Sequence, residues 1–582
     1  MSRVPTLFLI LKVWFIFISS TKSYEVDLKT YENYRRELIS ETENFINIDC
    51  GAPTNYTDIF GRYFESDTNY VDTGEVSQIS PNYMGLYWSQ LTRLRSFPQG
   101  KKNCYVLRPK QGKNVDYLIS FFFVYGNYDG RNTPPTFDLY IGVNYWETIR
   151  MGDSARIIFS EIVHVPTTDT IEVCLVNTNL GVPFISALQL RPLINNSIYQ
   201  VNSFSSQLNK LVNRYDCGRT PIESTIARYQ DDVYDRIWSN DFPSRTPVNT
   251  SQSNSIISVY YTEQPPAAVL SSAIQSLGTE IRYNFTNGMP NSEFLVYLHF
   301  AEVVQSAQGQ RNFTITINGV TYGPYSSPDY LKTSFFIQKV SAQQGAVQLS
   351  ILATPGSQFP PILNALEIFQ VIQLLDQLPT DPEDVSSLLE FKRIYGVTED
   401  WQGDPCVPTA YPWSRLTCNS DNPPRIISLN LSSSGLTGNI TASLSNLKFV
   451  QELDLSYNQL TGSIPESLAE LPSLVFLNLA GNKLEGSVPK ALLEKSKTGA
   501  LNLRLHDNPK LCFPDPCKQK KNKTIIIIVV VVGAPILVGA IVILLVYLCK
   551  PDGRGGKFIL VFDIFIVLIL LRTFTHFCFL LP

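Results

Sequence analysis

Asn47-Ile-Asp-Cys-Gly51 returns as Arg214-Tyr-Asp-Cys-Gly218, and this recurrence decides how the first part of the chain is read. It does not stand alone. Tyr117-Leu-Ile-Ser-Phe-Phe-Phe123 is matched by Phe294-Leu-Val-Tyr-Leu-His-Phe300, Thr136-Phe-Asp-Leu-Tyr-Ile-Gly142 by Asn312-Phe-Thr-Ile-Thr-Ile-Asn318, and Pro183-Phe-Ile-Ser-Ala-Leu188 by Pro361-Ile-Leu-Asn-Ala-Leu366. Kept order and spacing mean that two copies of one module stand in tandem. Within each copy, short apolar or alternating runs of Tyr, Phe, Val and Ile are separated by Asn, Gly, Pro and Asp turns, and helical periodicity is nearly absent. That pattern predicts two jelly-roll β-sandwiches, placed at 45–195 and 210–370, each long enough to bury its own core.

A shorter repeat follows. Leu453-Asp-Leu455-Ser-Tyr-Asn458-Gln-Leu460-Thr-Gly462-Ser-Ile464-Pro465 and Leu477-Asn-Leu479-Ala-Gly-Asn482-Lys-Leu484-Glu-Gly486-Ser-Val488-Pro489 are the same phrase twenty-four residues apart. The spaced Leu side chains fill the core of an α/β leucine-rich-repeat solenoid, and Asn458 and Asn482 turn inward to satisfy backbone groups. Leu429, Leu431, Leu436, Gly438 and Ile440 make an earlier coil, with Ser434 in place of the Asn and Thr441 in place of the Pro; Leu503, Leu505 and Asn508 begin an irregular last one. The array is placed at 425–517, after a cap at 380–424. Ser428, Asn430, Ser432, Glu452, Asp454, Ser456, Phe476, Asn478 and Ala480 are expected to point out of its short strands and form a concave face for a partner; the alternative is a simple spacer.

The two ends suggest a compartment. Arg3 precedes an apolar run at 7–18, and Thr21 and Ser23 follow at the spacing signal peptidase reads, so residues 1–23 are taken as a secretory signal. Lys12 interrupts the run, and an uncleaved anchor is the alternative, but the run is shorter than the ~20 residues a bilayer span needs. Residues 24–44, rich in Glu, Lys, Arg and Tyr, are expected to be a charged linker, with a gene-model irregularity as the alternative. Residues 525–548 are an apolar stretch of spanning length, broken only by Gly533, Pro535 and Gly539, and are expected to form one transmembrane helix. Lysines flank it on both sides, so orientation rests on the signal: a single-pass type I protein of the plasma membrane with a large extracellular region.

Sequons and cysteines agree with that placement. Asn55, Asn195, Asn249, Asn284, Asn312, Asn430, Asn439 and Asn522 all precede the apolar stretch; the first seven are expected to carry glycans, and Asn522 lies too close to the bilayer. Eight of the ten Cys lie in the same segment and read as disulfides in an oxidising compartment. Cys406 with Cys418 and Cys512 with Cys517 are close enough for local staples. Cys50, Cys104, Cys174 and Cys217 leave three pairings open. Cys549, at the inner edge of the helix, is a palmitoylation candidate, with a bare thiol as the alternative.

Composition excludes several classes. A chain of 582 residues is several domains' worth. Its net charge of −4 offers no basic stripe for nucleic acid. No Walker loop, Gly-x-Ser-x-Gly elbow or His-Glu-x-x-His is present, the four His are scattered, and carboxylates are too numerous to nominate a glycosidase pair. No catalytic residue, metal or cofactor is expected.

Phe45-Ile-Asn-Ile-Asp-Cys-Gly51, Cys104-Tyr-Val-Leu-Arg-Pro109, Tyr125-Gly-Asn-Tyr-Asp-Gly130, Phe137-Asp-Leu-Tyr-Ile-Gly-Val-Asn-Tyr-Trp146 and Tyr234-Asp-Arg-Ile-Trp238 closely resemble the paired malectin-like region of plant receptor-like kinases. Trp401-Gln-Gly-Asp-Pro-Cys406, Tyr411-Pro-Trp413 and Leu416-Thr-Cys418 resemble the cap that precedes leucine-rich repeats in the same family. Malectin is a carbohydrate-binding lectin and plant relatives of the paired module also recognise peptides, so the resemblance implies an extracellular glycan or peptide ligand. Tyr125, Tyr128, Asp129, Tyr145 and Trp146 supply the aromatic and acceptor groups that stack on and bond to sugars, with core or turn packing as the competing reading. Arg236 and Trp238 read as structural. Glu452, Asp454, Phe476 and Asn478 are the candidates for contact with a receptor kinase or coreceptor.

The resemblance also implies a kinase beyond the membrane helix, and here the chain departs from the family. Its Gly-rich loop, Val-Ala-Ile-Lys strand, His-Arg-Asp loop and Asp-Phe-Gly are missing; Asp552-Gly-Arg-Gly-Gly-Lys557 lacks the rest, and 549–582 is a short apolar tail in which 558–571, carrying Asp563, has a re-entrant membrane segment as its alternative. The expected protein is therefore a receptor-like glycoprotein of a kinase-lacking form, signalling through a partner's kinase. A non-signalling carbohydrate attachment protein of the cell wall and a truncated gene product are the alternatives.

Overall fold

The computed structural model describes residues 44–193, 199, 207–219, 226–240, 246–251, 265–286, 290–374, 377–397, 401–512, 539 and 541. The chain divides into two compact units, one running to Leu484 with Pro489–Asn508, the other holding Glu485–Val488 and the chain from Pro509. The signal, the charged linker and the tail lie outside the described residues. So does 525–548, apart from Gly539 and Ile541, which are helical; among the described residues no helix is long and apolar enough to cross a membrane.

The repeated sequence folds into repeated pairing. In the first module the strand Ile46–Asp49 runs antiparallel to Ala187–Pro192 with Asp49 opposite Ala187; in the second, Gln207–Asp216 runs against Ala365–Gln373 with Asp216 opposite Ala365. Each pair continues into the apolar strand of the motif, Tyr117–Val124 or Glu293–Ala301, and then into Ile157–His164 or Thr333–Ser341. Tyr117–Val124 is buried along its whole length, as a strand covered on both faces must be, which is why its sequence reads as a continuous apolar run.

The two modules are not separate beads. Ile157–His164 of the first pairs with Gln207–Asp216 of the second, through Ile162 opposite Lys210 and Val163 opposite Asn209, so one sheet runs through both sandwiches. The second layer of module 1 is the four-stranded sheet Lys102–Leu107, Ile171–Leu180, Thr136–Ile141, Asn144–Arg150; that of module 2 is Glu280–Thr286, Ala346–Ala353, Asn312–Ile317, Val320–Ser326. Phe121, Phe123, Phe137, Phe184 and Trp146 fill module 1, and Phe294, Phe300, Phe313 and Ile351 fill module 2.

Of the open pairings, the structure contains Cys104–Cys174, across directly opposed strand positions. Cys50 and Cys217 were expected in disulfides and are instead buried thiols. The reason is the repeat itself: both follow the first strand of their module and donate N–H to equivalent carbonyls, Ser186 and Asn364, each at 2.9 Å, so each sits inside its own core. Cys406 joins Cys418, and Cys512 is disulfide-bonded, while Cys517 lies outside the described residues.

The cap begins with the helix Pro382–Tyr395, started by Asp381, which accepts from Glu383 N, and ended by Gly396 in the left-handed region. Four parallel strands follow: Ile426–Asn430, Glu452–Asp454, Phe476–Asn478 and Asn502–Arg504. The Asn ladder forms as the repeat predicts. Asn458 donates to Leu431 O at 2.8 Å and Leu455 O at 3.0 Å while accepting from Leu436 N; Asn482 does the same for Leu455, Leu479 and Leu460, and Asn508 for Leu479, Leu505 and Leu484. In the second unit, Glu485–Ser487 pairs in parallel with Lys510–Cys512.

Candidate functional site

The aromatic candidates of module 1 do not form one site. Tyr125 is fully buried, its hydroxyl 2.5 Å from Asp129 Oδ1 and its ring against Tyr128 and Phe184. Trp146 is buried against Phe121 at 4.7 Å. Asp129 is exposed but spent on its own turn, accepting from Tyr125 and from Arg131 N. Tyr125 and Trp146 therefore belong to the core and not to a ligand-facing surface, while half-buried Tyr128 and exposed Asp129 border the turn. Tyr145 alone faces water, at 46% exposure, because successive residues of the strand Asn144–Arg150 alternate between faces.

Tyr145 has neighbours that sequence reading missed. Its ring meets Tyr140 at 5.7 Å, Tyr140 meets Tyr411 of the cap at 6.1 Å, and Lys101 lies over Tyr411. Burial, then the neighbouring Tyr411, pushes the Tyr140 phenol up to about 12. The strip exists only because the cap docks on the small sheet of module 1.

That docking is specific. Gly403 has φ +64°, and a Cβ there would come within 2.8 Å of Cys104 Sγ, so the loop presses its backbone onto the Cys104–Cys174 disulfide. Lys102, itself buried, donates to Asp404 O at 2.9 Å. Asp72 of module 1 accepts from Gln402 at 2.6 Å and from Lys392 of the cap helix at 3.1 Å. The loop is held by Trp401 stacked on Trp413 at 5.0 Å and by Asp404, whose carboxylate accepts from Thr380 and from Cys406 and Val407 N. In Trp401-Gln-Gly-Asp-Pro-Cys406, the glycine between aromatic and acidic residues is the signal from which a close approach could have been read.

The concave candidates do come together. Parallel register aligns Ser428, Glu452, Phe476 and Asn502 in one row and Asn430, Asp454, Asn478 and Arg504 in the next. Glu452 is exposed, Phe476 half-buried, and Arg504 lies over the Phe476 ring at 5.1 Å. Asp454 accepts from Asn478 at 3.0 Å and from Ser456 at 2.6 Å, which buries Asn478 and Ser456; they and the buried Ala480 support the face and do not present it. The face is acidic at Glu452 and Asp454 and basic at Arg504, which was not among the candidates.

At the module junction a buried ion network does structural work. Arg214 reaches Glu161 and Glu367 at 2.6 Å each, Tyr199 donates to Glu367, and Arg236 and Trp238 both bond Asp232. Burial alone would raise the Glu367 carboxyl; Arg214, the His299 bond and Arg236 outweigh it and hold it below the usual range. Among the described sequons Asn55, Asn249, Asn284, Asn430 and Asn439 are exposed, and Asn312 is half-buried, accepting from Ser326. Asn195 and Asn522 lie outside the described residues. Among the described residues no His, Cys, Asp and Glu cluster could hold a metal ion.

Paired sandwiches joined through one sheet and clasped to a capped repeat array define the class: a mostly β protein with a leucine-rich-repeat solenoid. The malectin-like domain model matches residues 48–371 and the leucine rich repeat model residues 424–484, and the chain belongs to the malectin-like leucine-rich-repeat receptor-like kinase family. It is 44% identical over 501 residues to an LRR receptor-like serine/threonine-protein kinase of Arabidopsis thaliana, At1g05700, covering 84% of this chain and 57% of that one. With the receptor-like protein kinase At2g19210 of the same plant it shares 40% over 537 residues, covering 89% of this chain and 60% of the relative. The chain thus spans under two thirds of the length of these relatives. Among solved structures, the ANX2 ectodomain of Arabidopsis thaliana aligns with a TM-score of 0.45 and 18% identity over 56% of this chain and 97% of that one.

Proposed function

We propose that this chain is a cell-surface receptor-like protein whose malectin-like modules take an extracellular glycan or peptide and whose repeat array contacts a coreceptor or receptor kinase, signalling through that partner's kinase. The observation that carries the reading is the concave strip: Glu452, Phe476 and Arg504 are set in fixed register on a backbone that the cap locks to module 1. A rigid aromatic beside opposite charges suits a protein partner. In this reading residues 1–23 are a signal, 525–548 cross the plasma membrane once, and Asn55, Asn195, Asn249, Asn284, Asn312, Asn430 and Asn439 carry glycans, the one on Asn430 at the edge of the contact strip.

The test is co-immunoprecipitation with a kinase-bearing relative from plant cells, with and without wall extract. Ligand-dependent association that a Glu452→Arg, Phe476→Ser double variant abolishes supports the reading; association unchanged by the double variant removes the strip from it. The exposed Tyr145 beside Tyr140 favours a second reading, a wall-attachment protein that holds carbohydrate without signalling. Glycan binding lost in Tyr145→Ala, with no kinase partner recovered, would select it.

A further inference from the structure

We propose that the seam where residues 226–240 of module 2 meet the sheet of module 1 is a site for one divalent tetrahedral oxyanion, sulfate or phosphate, which enters by displacing the Asp235 side chain from a cage of three arginines. Strand alternation builds the cage. Leu188 and Leu190 of Ala187–Pro192 point into the module 1 core, so Gln189 and Arg191 point out of it. Arg62 comes from the turn before Tyr63–Ser66, and Arg228 and Asp235 come from module 2. Arg62 Nη1 and Arg228 Nε lie 3.0 and 2.9 Å from Asp235 Oδ1. Arg191 Nη2 lies 3.6 Å from Asp235 Oδ2, which also accepts from Arg228 Nη2. Three guanidiniums thus surround one anionic group, and the chain's own carboxylate supplies it.

That carboxylate satisfies the cage only in part. Among the described residues, Arg191 Nε, Arg228 Nη1 and Gln189 Nε2 are buried donors with no acceptor, an arrangement folded proteins rarely leave without a ligand or water. Charge is unbalanced as well. The three guanidiniums face Asp235 and Asp58, the latter paired with Arg62, which leaves one positive charge; a divalent anion in place of Asp235 cancels it. Glu161, further along the same face, is bonded to Arg214 and Ser120. Burial holds the Arg191 guanidinium down at about 10 against the pull of Asp235, and Arg228 and Arg62 add to the fall. A cage with more donors than one carboxylate can use suits the four oxygens of a tetrahedral ion.

The arginines are held in place by other groups than Asp235. Arg191 donates to Asn47 Oδ1, Ile46 O and Leu190 O and lies over the Phe45 ring at 4.5 Å. Arg228 donates to Gln189 Oε1 at 3.0 Å and lies over the Trp88 ring at 5.1 Å, and Arg62 is bonded to Asp58. The side chains of Arg62 and Asp235 are 19% and 15% exposed, against 2% and 6% for Arg191 and Arg228, so the cage opens at Asp235. Asp235 N donates to Asp232 O at 2.9 Å, which fixes the turn, and rotation of the Asp235 side chain toward water is enough to free the cage.

Equilibrium dialysis of the full chain against radiolabelled sulfate, with ionic strength fixed by chloride, tests this. Asp235→Asn should bind one sulfate per chain about tenfold more tightly than the wild type, because no internal carboxylate competes for the arginines. Adding Arg62→Gln, a change at the most exposed of the three so that the fold survives, should remove that gain. Unlabelled inorganic phosphate should displace the sulfate. Displacement by phenyl phosphate as well assigns the site to an oxyanion borne on a larger ligand, and displacement by the inorganic ion alone assigns it to the free ion. Equal affinity in the wild type and Asp235→Asn overturns the proposal, as does an absence of stoichiometric binding in both or a gain that Arg62→Gln leaves intact.

Discussion

Arg214 Nη2 lies 2.6 Å from Glu161 Oε1, across the line where the sheet of module 1 becomes the sheet of module 2. Both side chains are about 1% exposed, and Arg214 also spans to Glu367 of its own module. The charges are committed to one another with little water near, so the junction tolerates removal of the whole set better than removal of one member. Arg214→Met should destabilise the ectodomain by about 3–5 kcal/mol, and Arg214→Met with Glu161→Gln should cost less than the sum of the single changes. Thermal unfolding of the four proteins of the cycle measures this; strict additivity would show that the pair does not couple the modules.

The Asn ladder gives a second expectation. Asn482 serves Leu455 O, Leu479 O and Leu460 N inside the solenoid, and no water can replace it without opening the coil. Asn482→Ala should cost about 3 kcal/mol, the sum of several small desolvation penalties. Asn430→Ala, at an exposed position one turn away from the ladder, should stay within about 0.5 kcal/mol. Denaturant titration compares the two.

Gly403→Ala should loosen the cap without unfolding either partner. The added methyl meets Cys104 Sγ at 2.8 Å, and the left-handed backbone adds about 1 kcal/mol of strain. The expected outcome is faster reduction of Cys104–Cys174 at every pH, with the melting of the repeat array unchanged. Unaltered reduction would mean that the loop is not what shields the disulfide.

Asp49 should contribute a pH dependence of its own. It accepts from Tyr56 and Arg93, yet burial outweighs both and raises its carboxyl to about 6, from an ordinary 3.8. A folded-state value above the unfolded one means that the folded state loses stability as pH rises from 3.8 toward 6 and loses no more above that. The deficit is at most about 3 kcal/mol. Asp49→Asn should flatten the stability profile between pH 4 and 6, read from melting temperatures; a slope equal to that of the wild type would refute the assignment.

Much of this was legible in the chain. The Asn-Ile-Asp-Cys-Gly recurrence announced two copies of one module, and the structure gives them equivalent registers, Asp49 opposite Ala187 and Asp216 opposite Ala365, because a repeated apolar pattern buries the same face each time. The solenoid core and Asn458 and Asn482 followed from spacing alone. The aromatic site did not: Tyr125 and Trp146 carry the right chemistry, but composition cannot say whether a ring near a turn faces the core or the solvent, and here both face the core.

Neighbours along the chain impose the local periods, and so strands, coils, turns and the residues that must fill or cap them could be read from the order of residues. The tertiary structure decided what lies between the periods. It left Cys50 and Cys217 as thiols, joined two sandwiches through one sheet at Arg214 and Glu161, and set Gly403 on the distant Cys104–Cys174 disulfide of module 1. Those contacts rest on charge pairing and close approach between distant segments, which leave no periodic trace in the order of residues.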